Sequence, residues 1–323
     1  MRRPPTTDPR PRPEYPVSIA FVFPGQGSHR AGALAAWEGH PALAVLDEVS
    51  KGLGRDVVPL TEDPGTGGRT ADAQPAILAV SLVVHRALSE AGVTPDVVAG
   101  HSLGEFSAGI AAGCLSVVDG AALVASRGAA MGRACAQNPG TMAAVVKLAP
   151  DAVEVLVDSI PDLVIANDNA PGQVVVAGTP DAVDSVRGRA KEAGGRALPL
   201  DVEGAFHSPA MAPAVDAVAA TVAGLDVGDP TTTFVSGSTA APLTSGDAVA
   251  RAFVDGILSP VRWREVQHQL VVLGVTHLVE VGPGGVLAGL AKRTIPDVAA
   301  HRVETPDDLR ELVAALQPDG GLR

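Results

Sequence analysis

Short apolar runs, each cut off by glycine or proline, alternate along the chain with longer segments whose apolar residues recur at helical spacing. Residues 18–23 form the first such run and stop at Pro24-Gly25, as a buried strand does when it ends in a glycine-rich loop. Residues 74–92 are apolar on most faces and close on Gly92, which predicts a buried helix with Gln74 as a cap at its start. Residues 97–99 predict a second buried strand, which runs straight into Gly100-His101-Ser102-Leu103-Gly104-Glu105; a helix-forming stretch follows over 106–112. Further on, 234–235 and 277–281 predict strands. The latter ends in Gly282-Pro283-Gly284-Gly285 ahead of a helix over 286–293.

The middle of the chain has a different rhythm. Residues 141–148 predict a strand and 151–159 a helix. Residues 163–166 and 173–177 predict strands joined by a polar turn, Asn167-Asp168-Asn169-Ala170-Pro171-Gly172. Residues 181–193 predict a helix and 196–202 a last strand. The order β-α-β-β-α-β is the ferredoxin-like pattern. The expected fold is therefore α/β: a large subdomain over 18–138 and 205–305, with an inserted ferredoxin-like small subdomain over 139–204. A C-terminal helix and tail over 306–323 complete the layout. Clefts at such junctions are favoured ligand sites.

Composition narrows the function. With 323 residues, 46% of them hydrophobic, the chain can bury a large core. No apolar run approaches the roughly 20 residues of a membrane span. Residues 1–17 hold six prolines and several arginines without the apolar stretch of a signal peptide, as in a disordered tail. Cys114 and Cys135 are the only cysteines and have no metal-ligand spacing, so the expected compartment is a reducing cytoplasm. A net charge of −12 disfavours nucleic acid and anionic membranes as partners.

Chemistry concentrates at a few positions. A G-x-S-x-G match is weak by itself, but between a strand and a helix it becomes a nucleophile elbow centred on Ser102. A serine nucleophile needs a base, commonly histidine. Of the eight histidines, His101 adjoins the serine and should point elsewhere. His40, His85, His268 and His301 fall in predicted helices or surface loops, His277 opens a strand, and His29 lies in the first glycine loop. His207 sits in Gly204-Ala205-Phe206-His207-Ser208-Pro209, where the small subdomain returns to the large one; a capped surface histidine is its plain alternative. Gly25-Gln26-Gly27-Ser28 follows a strand and offers backbone N–H groups, although it also reads as an ordinary turn. Arg127 stands alone in an apolar helical stretch, either snorkelling to the surface or clamping a carboxylate.

Together these residues resemble the malonyl-CoA:acyl-carrier-protein transacylase family and the related acyltransferase domains of polyketide synthases. The resemblance runs from about Ile19 to about Arg302. It rests on an ordered set: Pro24-Gly25-Gln26-Gly27-Ser28, Gln74-Pro75-Ala76, Gly100 to Glu105, Arg127-Gly128, Asn167 to Gln173, Ala205-Phe206-His207-Ser208 and Glu280-Val281-Gly282-Pro283-Gly284. It implies Ser102 as the acylated nucleophile, His207 as its base, and Gln26 and Leu103 as oxyanion donors through backbone N–H. It implies Arg127 as partner of the malonyl carboxylate, and Gln74, Met131, Asn167 and Asn169 as pocket residues. Phe206 matches the malonyl-type signature. The implied partners are an acyl-CoA and an acyl carrier protein, in fatty-acid synthesis or on a polyketide synthase. No metal or redox cofactor is called for; the coenzyme A thioester is the substrate. Gly256 departs from the pattern, because members often carry Gln there and orient the histidine through its carbonyl. Ser259 and Gly204 stand where Asn and His are common.

Acyl carrier proteins are acidic, so docking on this acidic chain requires a local basic patch. Lys292-Arg293 matches a basic pair that the resemblance associates with docking, with Arg262 and Arg264 as further candidates. A solvated helix end is the alternative for Lys292 and Arg293. The sequence also admits two rival functions. A serine hydrolase or thioesterase would share the elbow and the histidine but have no use for Arg127. A non-catalytic binding module would not need both Ser102 and His207.

Overall fold

The computed structural model describes residues 17–316. The predicted N-terminal tail, Val17 apart, and the end of the chain beyond residue 316 lie outside the described residues.

Ten strands are present among the described residues: β1 (Ile19–Phe23), β2 (Val97–Gly100), β3 (Thr141–Val146), β4 (Leu163–Ala170), β5 (Gln173–Gly178), β6 (Arg196–Pro199), β7 (Thr233–Val235), β8 (Pro242–Leu243), β9 (His277–Val281) and β10 (Ala299–Val303). They make two sheets. The larger runs β10-β9-β1-β2-β7-β8 and is parallel except for the β7–β8 pair. Its central strands β1 and β2 are apolar on both faces because both faces are covered. Phe21, Phe23, Val98 and Phe234 belong to the core shared with helices Thr70–Glu90 and Val117–Gln137. Ala20, Val22, Ala99 and Val235 pack with Trp263 and Leu270 of helix Trp263–Val272 and with Leu287 and Leu290 of helix Val286–Thr294.

The smaller sheet runs β4-β5-β3-β6, all antiparallel. Val145, Val174 and Val176 pack with Val153 of helix Pro150–Asp158 and with Val183 and Val186 of helix Pro180–Glu192. Met142, Ala144 and Val175, one residue out of phase, join the large core and line the cleft between the two sheets. The fold is α/β-hydrolase-like with a ferredoxin-like insert.

Several local expectations need correction. The helix containing Gln74 begins at Thr70, so Gln74 is an interior, fully buried residue and not a cap. Its start is capped by the Glu203 carboxylate, which accepts the Thr70 N–H at 2.7 Å. The expected polar turn after residue 166 is a strand: β4 continues to Ala170, and only Pro171-Gly172 turns, with Gly172 at φ 72°. Asp168 N–H donates to Val261 O at 2.9 Å, stitching β4 to the large subdomain. β6 stops at Pro199 and not at residue 202, and His301 lies in β10, not in a helix or loop.

Candidate active site

Ser102 stands at the turn between β2 and helix Gly104–Ala111, with φ 53°. That left-handed conformation is costly for a residue with a side chain, and it lifts the hydroxyl clear of the backbone. Two glycines permit the turn. A Cβ on Gly100 would sit 2.0 Å from the Gly104 carbonyl carbon, and one on Gly104 would sit 2.0 Å from Phe23 O.

His207 also has a positive φ, 56°, and is 4% exposed. Its Nε2 lies 2.8 Å from Ser102 Oγ. Its Nδ1 lies 3.0 Å from Gly256 O and 2.9 Å from Ser259 O. Carbonyls only accept, so Nδ1 carries the proton and Nε2 presents its lone pair to the serine hydroxyl. Burial, with the nearby Arg127 and His101, pushes the imidazole pKa down to about 3, so the ring is neutral across physiological pH. The carbonyl that the resemblance assigns to a glutamine comes here from Gly256.

Arg127 is 2% exposed and projects from helix Val117–Gln137. Nη1 donates to Gln74 Oε1 at 2.8 Å and Nη2 to Ser102 Oγ at 3.2 Å, while Nε has no partner among the described residues. The guanidinium lies 5.2 Å from the centre of the Phe106 ring. Burial lowers its pKa to about 10, which leaves it a cation at neutral pH. It therefore does not snorkel. Gln74 holds it in place and donates through Nε2 to Met131 Sδ at 3.5 Å.

Gln26 opens a 3₁₀ turn and Leu103 immediately precedes helix Gly104–Ala111. N–H groups at such ends lack an intrahelical partner, and the pair flanks the cleft beside Ser102. The Gln26 side chain donates to Thr70 Oγ1 at 3.1 Å. The opposite wall comes from β4. Asn169 Oδ1 lies 2.8 Å and Asn167 Nδ2 3.3 Å from His101 Nε2, and Asn167 Oδ1 has no partner among the described residues. The His101 ring turns to Asn167, Asn169 and Trp263 and not to the Ser102 hydroxyl, as expected, and it forms part of the cleft wall. Phe206, buried at 7% exposure, lines the same cleft of about 280 Å³.

Two residues escaped the sequence reading except as letters in motifs. Glu280 is fully buried and accepts N–H groups from Gly285 at 3.1 Å and Ala288 at 2.8 Å. It thereby sets the helix whose Val286, Leu287 and Leu290 close the cleft. Glu105 is buried beneath the serine and accepts the Gly237 N–H at 3.0 Å.

The four basic candidates separate. Lys292 and Arg293 are exposed in the last turn of helix Val286–Thr294, and Arg293 donates to Gln173 Oε1 at the cleft edge. Arg262 pairs with Glu265 at 2.8 Å, and Arg264 grips both oxygens of Asp168 at 2.7–3.0 Å. The charges of these two further docking candidates are locally balanced by their ion pairs.

Residues 20–322 match the acyl transferase domain family. The malonyl CoA-acyl carrier protein transacylase of Mycobacterium bovis is 40% identical over 304 residues, 91% of this chain and 99% of the relative. The acyl-carrier-protein S-malonyltransferase of Burkholderia pseudomallei superimposes with a TM-score of 0.88 at 38% identity, covering 92% of this chain and all of that one. A malonyl-transacylase solved in complex with its type II PKS acyl-carrier protein gives 0.88 at 34% identity, covering 92% and 99%. The chain belongs to the malonyl CoA-acyl carrier protein transacylase family of acyl transferases.

Proposed function

We propose that the chain transfers a malonyl group from coenzyme A to an acyl carrier protein through an ester on Ser102, in fatty-acid or polyketide synthesis. The observation that carries the proposal is the buried Arg127 guanidinium beside the Ser102 hydroxyl, 3.2 Å away. A fork of that kind suits a carboxylate, and simple ester hydrolysis has no use for it. The names of the relatives give the same substrate pair.

In the first half-reaction Ser102 Oγ attacks the thioester carbonyl as His207 Nε2 takes the hydroxyl proton. The Gln26 and Leu103 N–H groups hold the oxyanion, each donor being worth about 2.7–4 kcal/mol in comparable sites. The C–S bond breaks, and coenzyme A leaves with the proton from His207. In the second half-reaction the carrier's pantetheine thiol gives its proton to His207 and attacks the acyl ester. The C–O bond breaks and Ser102 recovers its proton. The malonyl carboxylate stays on Arg127, with Gln74, Met131, Phe206, Asn167 and Asn169 shaping the pocket.

The junction between segments 18–138 plus 205–305 and segment 139–204 is then the substrate cleft. Exposed Lys292 and Arg293 are its carrier-docking patch, with Arg262 and Arg264 supporting the same rim from their ion pairs. A cytoplasmic location suits a coenzyme A substrate; no helix among the described residues is long and apolar enough to cross a membrane. The test is intact-mass analysis after incubation with acyl-CoAs. A malonyl adduct should form on the wild type and vanish in Ser102→Ala; an adduct that persists in the variant assigns the nucleophile elsewhere.

A further inference from the structure

Behind Ser102 and His207 lies a second, much smaller cavity of about 10 Å³, near the room one water molecule takes. Its ionisable wall residues are Glu105 from helix Gly104–Ala111, Arg127 from helix Val117–Gln137 and His207 from the return segment. The turn after β7 contributes Gly237 and Ser238, and the end of helix Gly246–Asp255 contributes Phe253 and Gly256, all uncharged. Glu105 and Arg127 are buried on the same cavity without a direct ion pair among the described residues. Glu105 reaches instead to the Gly237 N–H, and its other oxygen lies 3.6 Å from where a Cβ on Gly256 would stand.

We infer that Glu105 is the buried counter-charge of Arg127 and takes up a proton when a carboxylated acyl group binds. The inference rests on the malonyl function proposed above. With His207 neutral, an ionised Glu105 and a cationic Arg127 sum to zero. A malonyl carboxylate on Arg127 would leave the site at minus one, and a buried uncompensated charge is costly. A proton on Glu105 restores the balance. Burial already pushes the Glu105 pKa up to about 7, against the lowering effects of the Gly237 N–H, the Ser236 hydroxyl and, last, the Arg127 charge. Engaging Arg127 with a second carboxylate weakens that lowering effect, so the pKa rises on binding. Glu105 is a positioning residue in this scheme: it acts on the substrate only through Arg127.

The experiment is calorimetric titration of the Ser102→Ala protein with malonyl-CoA at pH 7, in two buffers of different ionisation enthalpy. Coenzyme A serves as the control for its own phosphate. Malonyl-CoA should take up on the order of half a proton more than coenzyme A, and that excess should disappear in Ser102→Ala/Glu105→Gln. Equal uptake for both ligands, or an excess that survives Glu105→Gln, overturns the inference while leaving malonyl binding intact. Absence of any malonyl-CoA binding overturns the malonyl function and this inference with it. An infrared difference spectrum of Ser102→Ala with and without malonyl-CoA needs no second substitution. A protonated carboxyl band must appear on binding, and its absence overturns the inference. A carboxylate that merely braced the Gly237 turn would move neither readout.

Discussion

Replacing Arg127 with alanine separates recognition of the acyl carboxylate from the rest of the machinery. The side chain is 2% exposed, so the malonyl carboxylate it would hold is also removed from water. Truncating one partner of a desolvated pair costs about 3–5 kcal/mol. At about 1.4 kcal/mol per tenfold, that is a loss of roughly 10²- to 10⁴-fold in malonyl transfer. Acetyl-CoA has no carboxylate to strand. For it the variant loses the contact from Nη2 to Ser102 Oγ at 3.2 Å. It also relieves the lowering of the His207 pKa by the Arg127 charge, which makes the base stronger. Acetyl transfer should therefore fall by no more than about tenfold, the worth of one modest hydrogen bond. The assay is single-turnover acylation of Ser102 followed by intact mass, with each acyl-CoA, on protein whose melting temperature is also measured. Arg127→Lys keeps the charge but not the fork and should lie between wild type and alanine. Equal losses with both substrates would show that Arg127 braces Gln74 and the elbow without reading the substrate.

The remaining expectations are briefer. His207→Ala should slow acylation by about 10²- to 10⁴-fold with an unchanged far-ultraviolet spectrum; near-normal acylation in a folded variant rejects it as the base. With its pKa near 3 in the folded protein, His207 should impose no acid limb near pH 6.5 on acylation. Between about pH 6.5 and 3 the unfolded chain binds a proton there that the native state refuses, so this group removes stability as pH falls. Denaturant melts at pH 7 and pH 5 should then show wild type losing more than His207→Gln, on the order of 1 kcal/mol per pH unit; parallel losses would contradict it. Reversing both charges at Lys292 and Arg293 should impair transfer to the carrier protein while self-acylation continues. That defect should shrink at high salt, and unchanged transfer at low salt removes the patch from the mechanism. Gly104→Ala would place a Cβ 2.0 Å from Phe23 O, backbone against which nothing can yield. It should cost more than about 3 kcal/mol in a melt or abolish acylation of Ser102, and a stable, fully active variant would refute the tight elbow.

What was legible in the sequence was what neighbouring residues decide together. The elbow could be read because strand, glycines, serine and helix lie within sixteen residues, each needed by the next. The small subdomain could be read from the order of its elements, because each strand or helix carries its own period. What was missed is decided by residues far away in the chain. Gln74 looked like a cap because nothing local shows that the true cap of its helix is Glu203, 133 residues beyond Thr70. The polar run Asn167-Asp168-Asn169 looked like a turn, since polar residues with a proline and a glycine ordinarily make one. It is a strand because Asp168 is held by Arg264, 96 residues away, while Asn167 and Asn169 reach His101 in the cleft wall. The same pairing ties Arg264, a docking candidate in the sequence, to the small subdomain. Glu105 and Glu280 were the least visible. A carboxylate in a helix or at a strand end is ordinarily solvated, and only the folded chain shows that Gly237, Gly285 and Ala288 turn their N–H groups toward them. All of these misses lie at the cleft or in its supports. Local preference is overridden where buried polar groups must be satisfied by distant partners, and a site that handles a charged acyl group in a water-poor pocket requires such groups.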